Sequence, residues 1–592
     1  MLPPGIIYLI KHLPKLLAPP AVTYLAAREF GHRLGYNVPW WSLGIALVFS
    51  TPLWVTLEVQ WQIFADRREA ARRGAVLPPE VESPYPGGLQ FLAASHKDAY
   101  PSDVLGQLFV KYGWTINHRI LFENRYITTD PANIKAILAT RFDEFEKGPE
   151  LNRVFGVLLG TGVFAADGDL WKFHRNMARP YFSRDRISDF DNFDKHSQLA
   201  IQKMKARFAQ GFAVDFQDVV ARFTLDSATE FLFGNDVRSL SEELPYPYFH
   251  DATKEVQDSK QAPLPSSSTH SATEFVQAFG EAQTIIAYRS RFGDHWPLSE
   301  FWVDKLAKPK RIIDEYIEGI VREAIIQRRE KKGVVSDDDK DEESFLEHLF
   351  NSTEDPAVLR DAIMNLLVAG RDTTAATLTF AVYLLADHPQ VFERLREEVM
   401  SHIGPDRRPT FDDFKEMKYM RAVINETLRL YPAVPFNLRV SKGPTVFPAK
   451  GDATPIYVPG RIKIAYGVLA MHRRKDLWGP DAHDFDPDRF IDERLQKYLV
   501  PNPFMFLPFN AGPRICLGQQ FAYNEMSFFI VRLLQSFSSV KLCSKSQPPE
   551  SKPPAEWAAD TLNTRKSREK VRVKSHFTLY IQDGLWVEMG EA

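Results

Sequence analysis

The chain is poor in cysteine, carries no excess of either charge, and has very few long apolar runs. Cys516 and Cys543 are its two cysteines in 592 residues, which excludes a disulfide-stabilised scaffold and suits a working part that faces a reducing compartment. The net charge is only −3, so no overall basic field favours nucleic acid as a partner. With 44% hydrophobic residues, the chain is able to bury a large core.

One long run without charge does exist, from Val38 to Leu57. Its length matches the ~30 Å of hydrocarbon in a bilayer, and tryptophans flank it as they do at membrane interfaces. We therefore predict a transmembrane helix over residues 38–57; a buried core helix that contains Pro52 is the alternative. Residues 1–37 are also apolar but are interrupted by prolines. We expect them to lie in the membrane interface, with a second anchoring segment left open.

Residues 58–88 are predicted to form a basic and proline-rich linker. Four arginines mark its first part as the cytoplasmic side, although basic residues also precede the span and make the charge rule indecisive. Leu77–Gly88 is expected to be stiff and non-helical. A globular domain is then predicted over residues 89–592. We expect it to end in a strand pair, Phe577–Ile581 with Leu585–Met589, after a polar insertion at Ser544–Lys574.

Cys516 stands in a loop whose composition favours metal binding. The stretch Phe509–Gly518 places this cysteine between Gly512 and Gly518 and leads into an apolar helical run. The glycines allow the backbone to turn back and approach a flat ligand closely. Arg514 is a permanent cation nearby, and the N–H groups at the start of the following helix favour a thiolate. Haem iron is the metal that this chemistry favours; the alternative is a small buried core cysteine.

A second motif lies in a long predicted helix. Asp355 is an N-cap residue followed by proline, and no further proline occurs before Pro389, so the pattern predicts a helix of about 30 residues. Asp372 and Thr373 lie near its middle, where the Thr373 hydroxyl is placed to bond the carbonyl of Ala369. An alcohol beside a carboxylate is able to relay protons into a dry pocket. A polar notch in a core helix is the alternative.

Two further sequence patterns are informative only because of their positions relative to the other motifs. Glu426 and Arg429 lie one turn apart on a predicted helix, a spacing that recurs elsewhere in the chain and is weak evidence alone. Arg489, in an Asp-Pro-Asp-Arg-Phe segment, follows them and precedes the cysteine loop. Trp171 and Arg175 are also one turn apart, a spacing more typical of a stacked pair on a helix surface.

In this order, the motifs resemble those of the cytochrome P-450 family. Phe509–Gly518 fits the family's Phe-x-x-Gly-x-Arg-x-Cys-x-Gly at each specified position, and Ala369–Thr374 fits its oxygen-binding motif. The resemblance covers nearly all of the chain from about residue 89. It implies a mainly α (α+β) fold, the cytochrome P-450 fold, with a large helical domain and small β-sheets. The haem would lie between a long central helix and the cysteine-loop helix, and an N-terminal anchor would hold the domain at a membrane.

The resemblance also implies roles for individual residues. Thr373 and Asp372 are the implied catalytic pair, and Glu426, Arg429 and Arg489 form an implied buried structural cluster. The implied haem-binding residues are Cys516 (as axial ligand of the iron), Trp171, His174, Arg175, Arg439, Phe509, Gly512, Arg514 and Gly518. The segments expected to border a substrate pocket contribute Leu158, Leu366, Ala369, Val434, Phe436 and Phe577.

The implied function is that of a haem-thiolate monooxygenase. The motifs are similar to those of fungal membrane-bound members that oxidise n-alkanes and fatty acids, which implies hydroxylation of a hydrophobic chain at or near its end. The implied cofactors are haem b, O2 and electrons from NADPH. The resemblance implies that a separate flavoprotein reductase delivers these electrons, with cytochrome b5 as a further donor. No flavin or nucleotide domain is visible in the sequence, so an external donor is required. The implied location is the endoplasmic reticulum membrane, with the catalytic domain on the cytoplasmic side.

Three alternatives stay open at this stage. The same apolar pocket could accept aromatic or polycyclic molecules. The chain could also be a haem-thiolate isomerase or dehydratase, or a non-catalytic haem carrier or gas sensor. Asp372 and Thr373 argue against these last two classes, because neither class needs a proton relay.

Overall fold

The computed structural model describes residues 2–36, 38–88, 100–183, 187, 190–234, 236–250, 271–331, 345–353, 355–449, 454–560 and 564–592. The predicted domain start at residue 89 lies outside these ranges. The α-helices are α1 (Pro4–Leu34), α2 (Trp40–Arg72), α3 (Asp103–Tyr112), α4 (Pro131–Lys135), α5 (Pro149–Leu159), α6 (Gly168–Ala178), α7 (Asp191–Ala209), α8 (Phe216–Phe233), α9 (Ala272–Phe292), α10 (Ala307–Lys331), α11 (Phe345–Ser352), α12 (Pro356–Asp387), α13 (Pro389–His402), α14 (Asp413–Glu416), α15 (Lys418–Leu430), α16 (Val468–His472), α17 (Lys475–Trp478), α18 (Gln519–Ser536) and α19 (Ala555–Ala558).

The strands are short and form small sheets. They are β1 (Thr115–Asn117), β2 (Arg125–Thr128), β3 (Phe145–Glu146), β4 (Val214–Asp215), β5 (Asn437–Ser441), β6 (Thr445–Phe447), β7 (Ile456–Val458), β8 (Lys463–Tyr466), β9 (Phe537–Leu542), β10 (Val573–Ser575), β11 (Leu579–Ile581) and β12 (Trp586–Glu591). The largest sheet has the order β1-β2-β8-β5-β3, in which only the β2/β8 pair is parallel. A second sheet has the order β4-β12-β9, and β6/β7 and β10/β11 pair separately. The predicted architecture, a large helical domain with small sheets, is confirmed.

Helix α12 is the central element of the helical domain. The Asp355 carboxylate caps its N-terminus by accepting a hydrogen bond from the Ala357 N–H at 2.9 Å, and Pro356 occupies the first helical position. The 32 residues then continue to Asp387, so that the helix has the bounds expected from its cap and from Pro389. Much of its length is buried, and it packs against α8, α15 and α18. A helix buried along its length holds its side chains in fixed positions for a site.

The stretch predicted as a stiff spacer packs against the globular body instead. The Val76 N–H donates to the Pro455 carbonyl at 2.9 Å, and the Val81 N–H donates to the Asn117 carbonyl at 2.9 Å. The Val81 side chain is only 4% exposed and packs with Ile116 of β1. A proline-rich segment cannot form a helix, but it can still add its free N–H and C=O groups to the edge of a sheet. The segment therefore contacts the body well before residue 89.

The C-terminal strands pair differently from the prediction. Leu579–Ile581 pairs with Val573–Ser575, and Trp586–Glu591 lies between β9 and β4, so the two predicted strands are not partners of each other. The alternating apolar pattern identified the strands themselves. It carried no information on pairing, because β9 lies before the intervening segment and β4 lies far away in the chain.

The intervening segment, Ser544–Lys574, is not a polar surface insertion. Its Glu569 is 7% exposed, and its carboxylate accepts hydrogen bonds from the hydroxyls of Tyr100, Tyr383 and Tyr431 at 2.7–2.8 Å. Arg565 Nε donates to the Tyr431 hydroxyl at 2.9 Å, so a cation from the same segment balances the charge. A buried carboxylate requires such partners, and here they tie the segment to the core of the domain.

Truncations at two points should separate the anchor from the body. Deleting residues 1–66 leaves Val76 and Val81 in place, so we expect folded holoprotein whose thermal midpoint is the reference for the second truncation. Deleting residues 1–88 removes the buried Val81 side chain, worth about 1.5–3 kcal/mol, together with its sheet hydrogen bonds. We expect this shorter chain to unfold at a clearly lower temperature in thermal denaturation followed by circular dichroism. Equal midpoints for the two truncations would contradict the packing of residues 75–81.

Candidate active site

A cavity of about 270 Å³ lies between helix α12 and the cysteine loop that precedes α18. Predicted site residues from distant parts of the chain meet around it. They are Trp171, Arg175, Leu366, Ala369, Thr373, Val434, Arg439, Phe509, Arg514, Cys516 and Gly518. Most of the remaining lining is apolar, with Val163, Phe164 and Leu232 as examples. Such a lining excludes water and favours an apolar ligand.

The backbone of the cysteine loop turns back on itself. The Cys516 N–H donates to the Phe509 carbonyl at 3.0 Å, which closes the loop and directs the thiol toward the cavity. Gly512 has φ +69°, and a Cβ there would lie 1.8 Å from the Leu138 carbonyl oxygen. Gly512 is therefore required for loop packing and does not line the cavity, so its predicted contact with the haem is replaced by an indirect role.

The electrostatics of the thiol differ from the sequence expectation. Burial raises the pKa of the Cys516 thiol, and the Gly518 N–H and the Arg175 guanidinium oppose that effect only in part. The helix start alone therefore does not produce a thiolate. A metal ion deprotonates a coordinated thiol outright, so the ionised form of Cys516 depends on a bound cation.

Four cations meet at one side of the cavity. Arg514 donates to the Asp167 carboxylate at 2.8 Å, Arg175 to the Ile515 carbonyl at 2.9 Å, and Arg439 to the Leu438 carbonyl at 2.8 Å. The fourth is Lys147, whose ammonium donates to Asn437 Oδ1 at 2.9 Å. Burial, with Arg439 and Arg514 close by, holds the pKa of Lys147 well below its usual range. Burial and Arg439 similarly lower the pKa of Arg514 to about 10.

This surplus of positive charge fits the two carboxylates of a haem. Within the described residues, the ionic contacts of the four cations include one carboxylate, that of Asp167. Two ligand carboxylates would balance two of the three remaining charges and accept the forked donors of the arginines. A thiol facing an apolar cavity, next to this cationic rim, is the set of groups that a haem-thiolate site needs.

Lys147 was missed by the sequence analysis. A single lysine before Gly148-Pro149 carries no motif, and nothing in its neighbours separates it from the chain's many surface lysines. Its position depends on the fold, because the adjacent Gly148 and Lys147 N–H groups both donate to the Asp167 carboxylate, at 2.9 and 2.8 Å. The same carboxylate holds Arg514, and this shared partner brings Lys147 to the cavity.

Four predicted residues lie away from the cavity. His174 is 3% exposed and buried in α6, where burial lowers the pKa of its imidazole. Leu158 is fully buried in a core cluster, whereas Phe436 is 44% exposed. Phe577 stacks on Phe155 of α5 with a centroid distance of 4.8 Å. Each of the four is an apolar or aromatic residue near a motif, but its side chain points toward the core or the surface and not into the cavity.

Thr373 and Asp372 occupy different sides of α12. Thr373 lines the cavity, and its hydroxyl donates to the Ala369 carbonyl at 2.8 Å, as predicted. The Asp372 carboxylate instead accepts from Arg371 at 2.9 Å and from Gln283 of α9 at 2.5 Å. Burial raises the pKa of Asp372, while Arg371 and Gln283 oppose the shift. Adjacent helical residues point about 100° apart, so the predicted pair does not present both groups to the cavity.

Glu426, Arg429 and Arg489 form a fully buried cluster, as the resemblance implied. Arg429 binds Glu426 through two hydrogen bonds of 2.6 and 2.7 Å, and Arg489 Nε lies 3.5 Å from the same carboxylate. The cluster does not border the cavity. It has a link to the cysteine loop, however, because Arg429 donates to the His472 carbonyl at 2.8 Å and the His472 ring accepts the Leu507 N–H at 2.9 Å.

Comparison with known proteins agrees with this geometry. The model of the family described as "Cytochrome P450" matches residues 78–566. Cytochrome P-450 monooxygenase pvhE of Talaromyces variabilis is 37% identical over 453 residues, covering 72% of this chain and 76% of the relative. Cytochrome P-450 52A1 of Candida tropicalis is 38% identical over 438 residues, covering 72% and 75%. Cytochrome P-450 52-M1 of Starmerella bombicola is 34% identical over 514 residues, covering 84% and 90%.

A matched family model over most of the chain, together with a thiol-bearing cavity below a long central helix, defines a haem-thiolate protein. The chain belongs to the cytochrome P-450 family. It is an oxidoreductase, a cytochrome P-450 monooxygenase, and the family recognised from the sequence motifs is confirmed. As a member of this family it uses haem iron and O2, and a redox partner supplies the electrons.

Replacing the two cysteines should identify the iron ligand. We expect Cys516→Ala to abolish the thiolate-type carbon monoxide difference spectrum of the reduced protein, because its thiol alone faces the cavity among the two cysteines. Cys543→Ala is the matched control. The Cys543 thiol contacts Ser546 and Glu588, and none of the three lines the cavity, so this variant should retain the spectrum. A spectrum that survives in the first variant, or is lost in the second, contradicts the assignment.

Thr373 and Thr379 offer a matched pair for the proton relay. Both hydroxyls donate to the carbonyl four residues earlier, but Thr379 is buried away from the cavity. We expect Thr373→Ala to keep haem and substrate binding but to give about 10-fold less product per electron pair consumed, because a relay residue contributes about 10²–10⁴-fold. Hydrogen peroxide should take the place of the lost product. Thr379→Ala should keep the parent ratio of product to peroxide. Equal product yields in the two variants would remove this role from Thr373.

Proposed function

We propose that the protein hydroxylates long-chain alkanes or fatty acids at or near the chain end. The observation that carries this proposal is the apolar wall of the cavity beside Thr373, which Leu366, Ala369 and Val434 form. An alkyl chain in such a cavity gains about 0.8 kcal/mol for each methylene that it buries. The motifs that the chain shares with alkane- and fatty-acid-oxidising fungal members support the same substrate class.

In this proposal, each group of residues around the cavity has a separate role. A bound haem b, with Cys516 as its thiolate ligand, supplies the oxygen-activating chemistry. Arg439, Arg514 and Lys147 hold the haem carboxylates and fix its orientation. The hydroxyl of Thr373 provides a proton donor beside the apolar wall of the cavity. The apolar wall orients the chain and excludes water, which keeps protons from reaching the site by other routes.

Membrane attachment and electron supply complete the proposal. Helix α2 passes the test of length and apolar composition for a membrane span on its own, and no other helix within the described residues does so. We place it in the endoplasmic reticulum membrane with the body on the cytoplasmic side, where an NADPH-dependent flavoprotein reductase, assisted by cytochrome b5, would donate the electrons. Anchored there, the body has access to water-insoluble chains that are dissolved in the bilayer.

A titration with ligands of increasing length tests the substrate class. We expect affinity for fatty acids and n-alkanes to rise about fourfold per added methylene, from ~0.8 kcal/mol each, until the cavity is filled. The product, read by mass spectrometry with reductase and NADPH present, should carry oxygen at or next to the terminal carbon.

Polycyclic aromatics of similar surface area are the control ligands. Flat affinity along the chain series, with tight binding and turnover of the rings only, would overturn the alkane and fatty-acid assignment. Cavity variants sharpen the test, because Val434→Phe should shorten the longest chain accepted. Phe436→Ala, at an exposed position beside it, should leave the length profile unchanged.

A further inference from the structure

Helices α1 and α2 form an antiparallel hairpin. The Thr51 hydroxyl donates to the Leu16 carbonyl at 3.5 Å, near the middle of both helices. Pro19 of α1 and Ser50 of α2 are buried at this level, whereas most of their neighbours are exposed. The two helices turn at Gly35, so the start of α1 lies at the same end of the hairpin as the connection from α2 to the catalytic body.

The start of α1 contacts the catalytic body directly. The Gly5 N–H donates to the Phe301 carbonyl at 3.0 Å, and the Tyr8 hydroxyl lies 2.6 Å from His295 Nδ1. A Cβ at Gly5 would lie only 2.2 Å from the Phe301 ring, so the close approach depends on glycine. His295 and Phe301 belong to the turn between α9 and α10, which is part of the catalytic body.

These contacts fix the level of α1 relative to α2. At ~1.5 Å per residue, the Leu16/Thr51 contact places Gly5 level with about residue 62 of α2. That level lies beyond Leu57, where the charge-free run of α2 ends toward the body. When α2 crosses a bilayer over its charge-free run, α1 must pass through the same layer from one side to the other.

The surface of α1 suits lipid on several sides. Its exposed apolar side chains include Ile10, Leu17, Val22, Leu25 and Phe30, with exposed fractions of 54–68%. An interfacial helix would instead carry a polar face along its length. Pro20 has no N–H to donate to the Leu16 carbonyl, and the Thr51 hydroxyl of α2 donates to that carbonyl instead.

The charges of α1 are at its two ends. Lys11 and Lys15 lie toward the body, Arg28 and the Glu29–Arg33 ion pair lie toward the turn, and Leu16–Ala27 between them has no charge. That central stretch spans about 18 Å, and lysine and arginine side chains at its ends extend to the interfaces of a ~30 Å layer. The pattern is that of a short membrane-crossing segment supported by a longer neighbour.

We propose that α1 is a second transmembrane helix, surrounded by lipid acyl chains and paired with α2. The chain ahead of α1 then lies on the same side of the membrane as the catalytic body, where the start of α1 contacts the turn that contains His295 and Phe301. This proposal rests on the membrane attachment given under the proposed function. It replaces the interfacial placement expected for residues 1–37.

Protease protection of the full-length protein in sealed microsomal vesicles tests the crossing. One epitope tag is placed ahead of Pro3, a second directly after Gly35, and a third after Ala592. We expect added protease to remove the first and third tags from sealed vesicles and to remove the second only after detergent. Protection of both the first and second tags would show a single crossing and overturn the proposal.

The failure of membrane attachment itself has a different signature. Digestion of all three tags in sealed vesicles, with release of the protein by alkaline carbonate, would overturn both the hairpin and the anchor. The body carries an internal reporter of its side, the exposed acceptor sequence Asn351-Ser-Thr. It should remain unglycosylated, and a glycan at Asn351 would contradict the cytoplasmic placement.

Cross-linking tests the contact with the body in the holoenzyme. In a Cys543→Ser background, Tyr8→Cys with His295→Cys should be joined by a short bis-maleimide, whereas Leu34→Cys with His295→Cys should not. Adding Gly5→Leu should lower the yield of the first pair at least several-fold. Gly44→Leu is the matched control, because a Cβ at Gly44 meets no atom within 4 Å. Equal yields for Tyr8→Cys and Leu34→Cys would overturn the contact.

Discussion

A carboxylate withdrawn completely from water must be paired, and Glu426 is the buried carboxylate on which the geometry of the site depends. Its partner Arg429 also binds the His472 and Ala482 carbonyls, at 2.8 and 2.6 Å, so one guanidinium joins the end of α16 to the turn that contains Ala482. Burial, with Arg429 nearby, lowers the pKa of His472 to about 3, so its ring stays neutral and accepts the Leu507 N–H. The cysteine loop begins two residues later. Removing Glu426 would leave a buried cation unpaired, typically at a cost of about 3–5 kcal/mol, and would loosen this chain of contacts.

The opposite condition prevails at the cavity, where positive charge exceeds its protein partners. Burial, with Arg439 and Arg514 close by, lowers the pKa of Lys147, and burial with Arg439 lowers the pKa of Arg514. An anionic ligand would relieve the repulsion among these cations, so its binding also stabilises the folded structure around the cavity. Burial also raises the pKa of the Cys516 thiol, and a bound metal ion would supply the positive charge that favours the thiolate. The site is therefore complete only in the holoprotein, and its parts are arranged for that state.

Sequence reasoning succeeded where a local pattern determines local geometry. The cap at Asp355 and the proline at 389 defined α12, and the hydroxyl bond of Thr373 followed from helix spacing. The cysteine loop and the Glu426 cluster came from motif order. The predictions that were wrong or incomplete depended on the direction of a side chain or on contacts between residues distant in the sequence. Asp372 turns away from the cavity because neighbouring helical residues diverge, Phe436 is exposed beside a lining residue, and Lys147 reaches the site only through Asp167. The pairing of β12 with β4 and β9 could not be predicted either, because these strands are distant in the sequence.

The network around Glu569 has a consequence for biosynthesis. Its hydroxyl partners Tyr100, Tyr383 and Tyr431 emerge from the ribosome long before residue 569, and a nascent chain holds them without their common acceptor. Until that carboxylate arrives, three buried hydroxyls have no place to donate, which disfavours closure of the core around them. The strand β12, which completes the sheet with β4 and β9, is translated later still. The catalytic body therefore completes its core only after β12 has left the ribosome, while its N-terminal helices have long been available to the membrane.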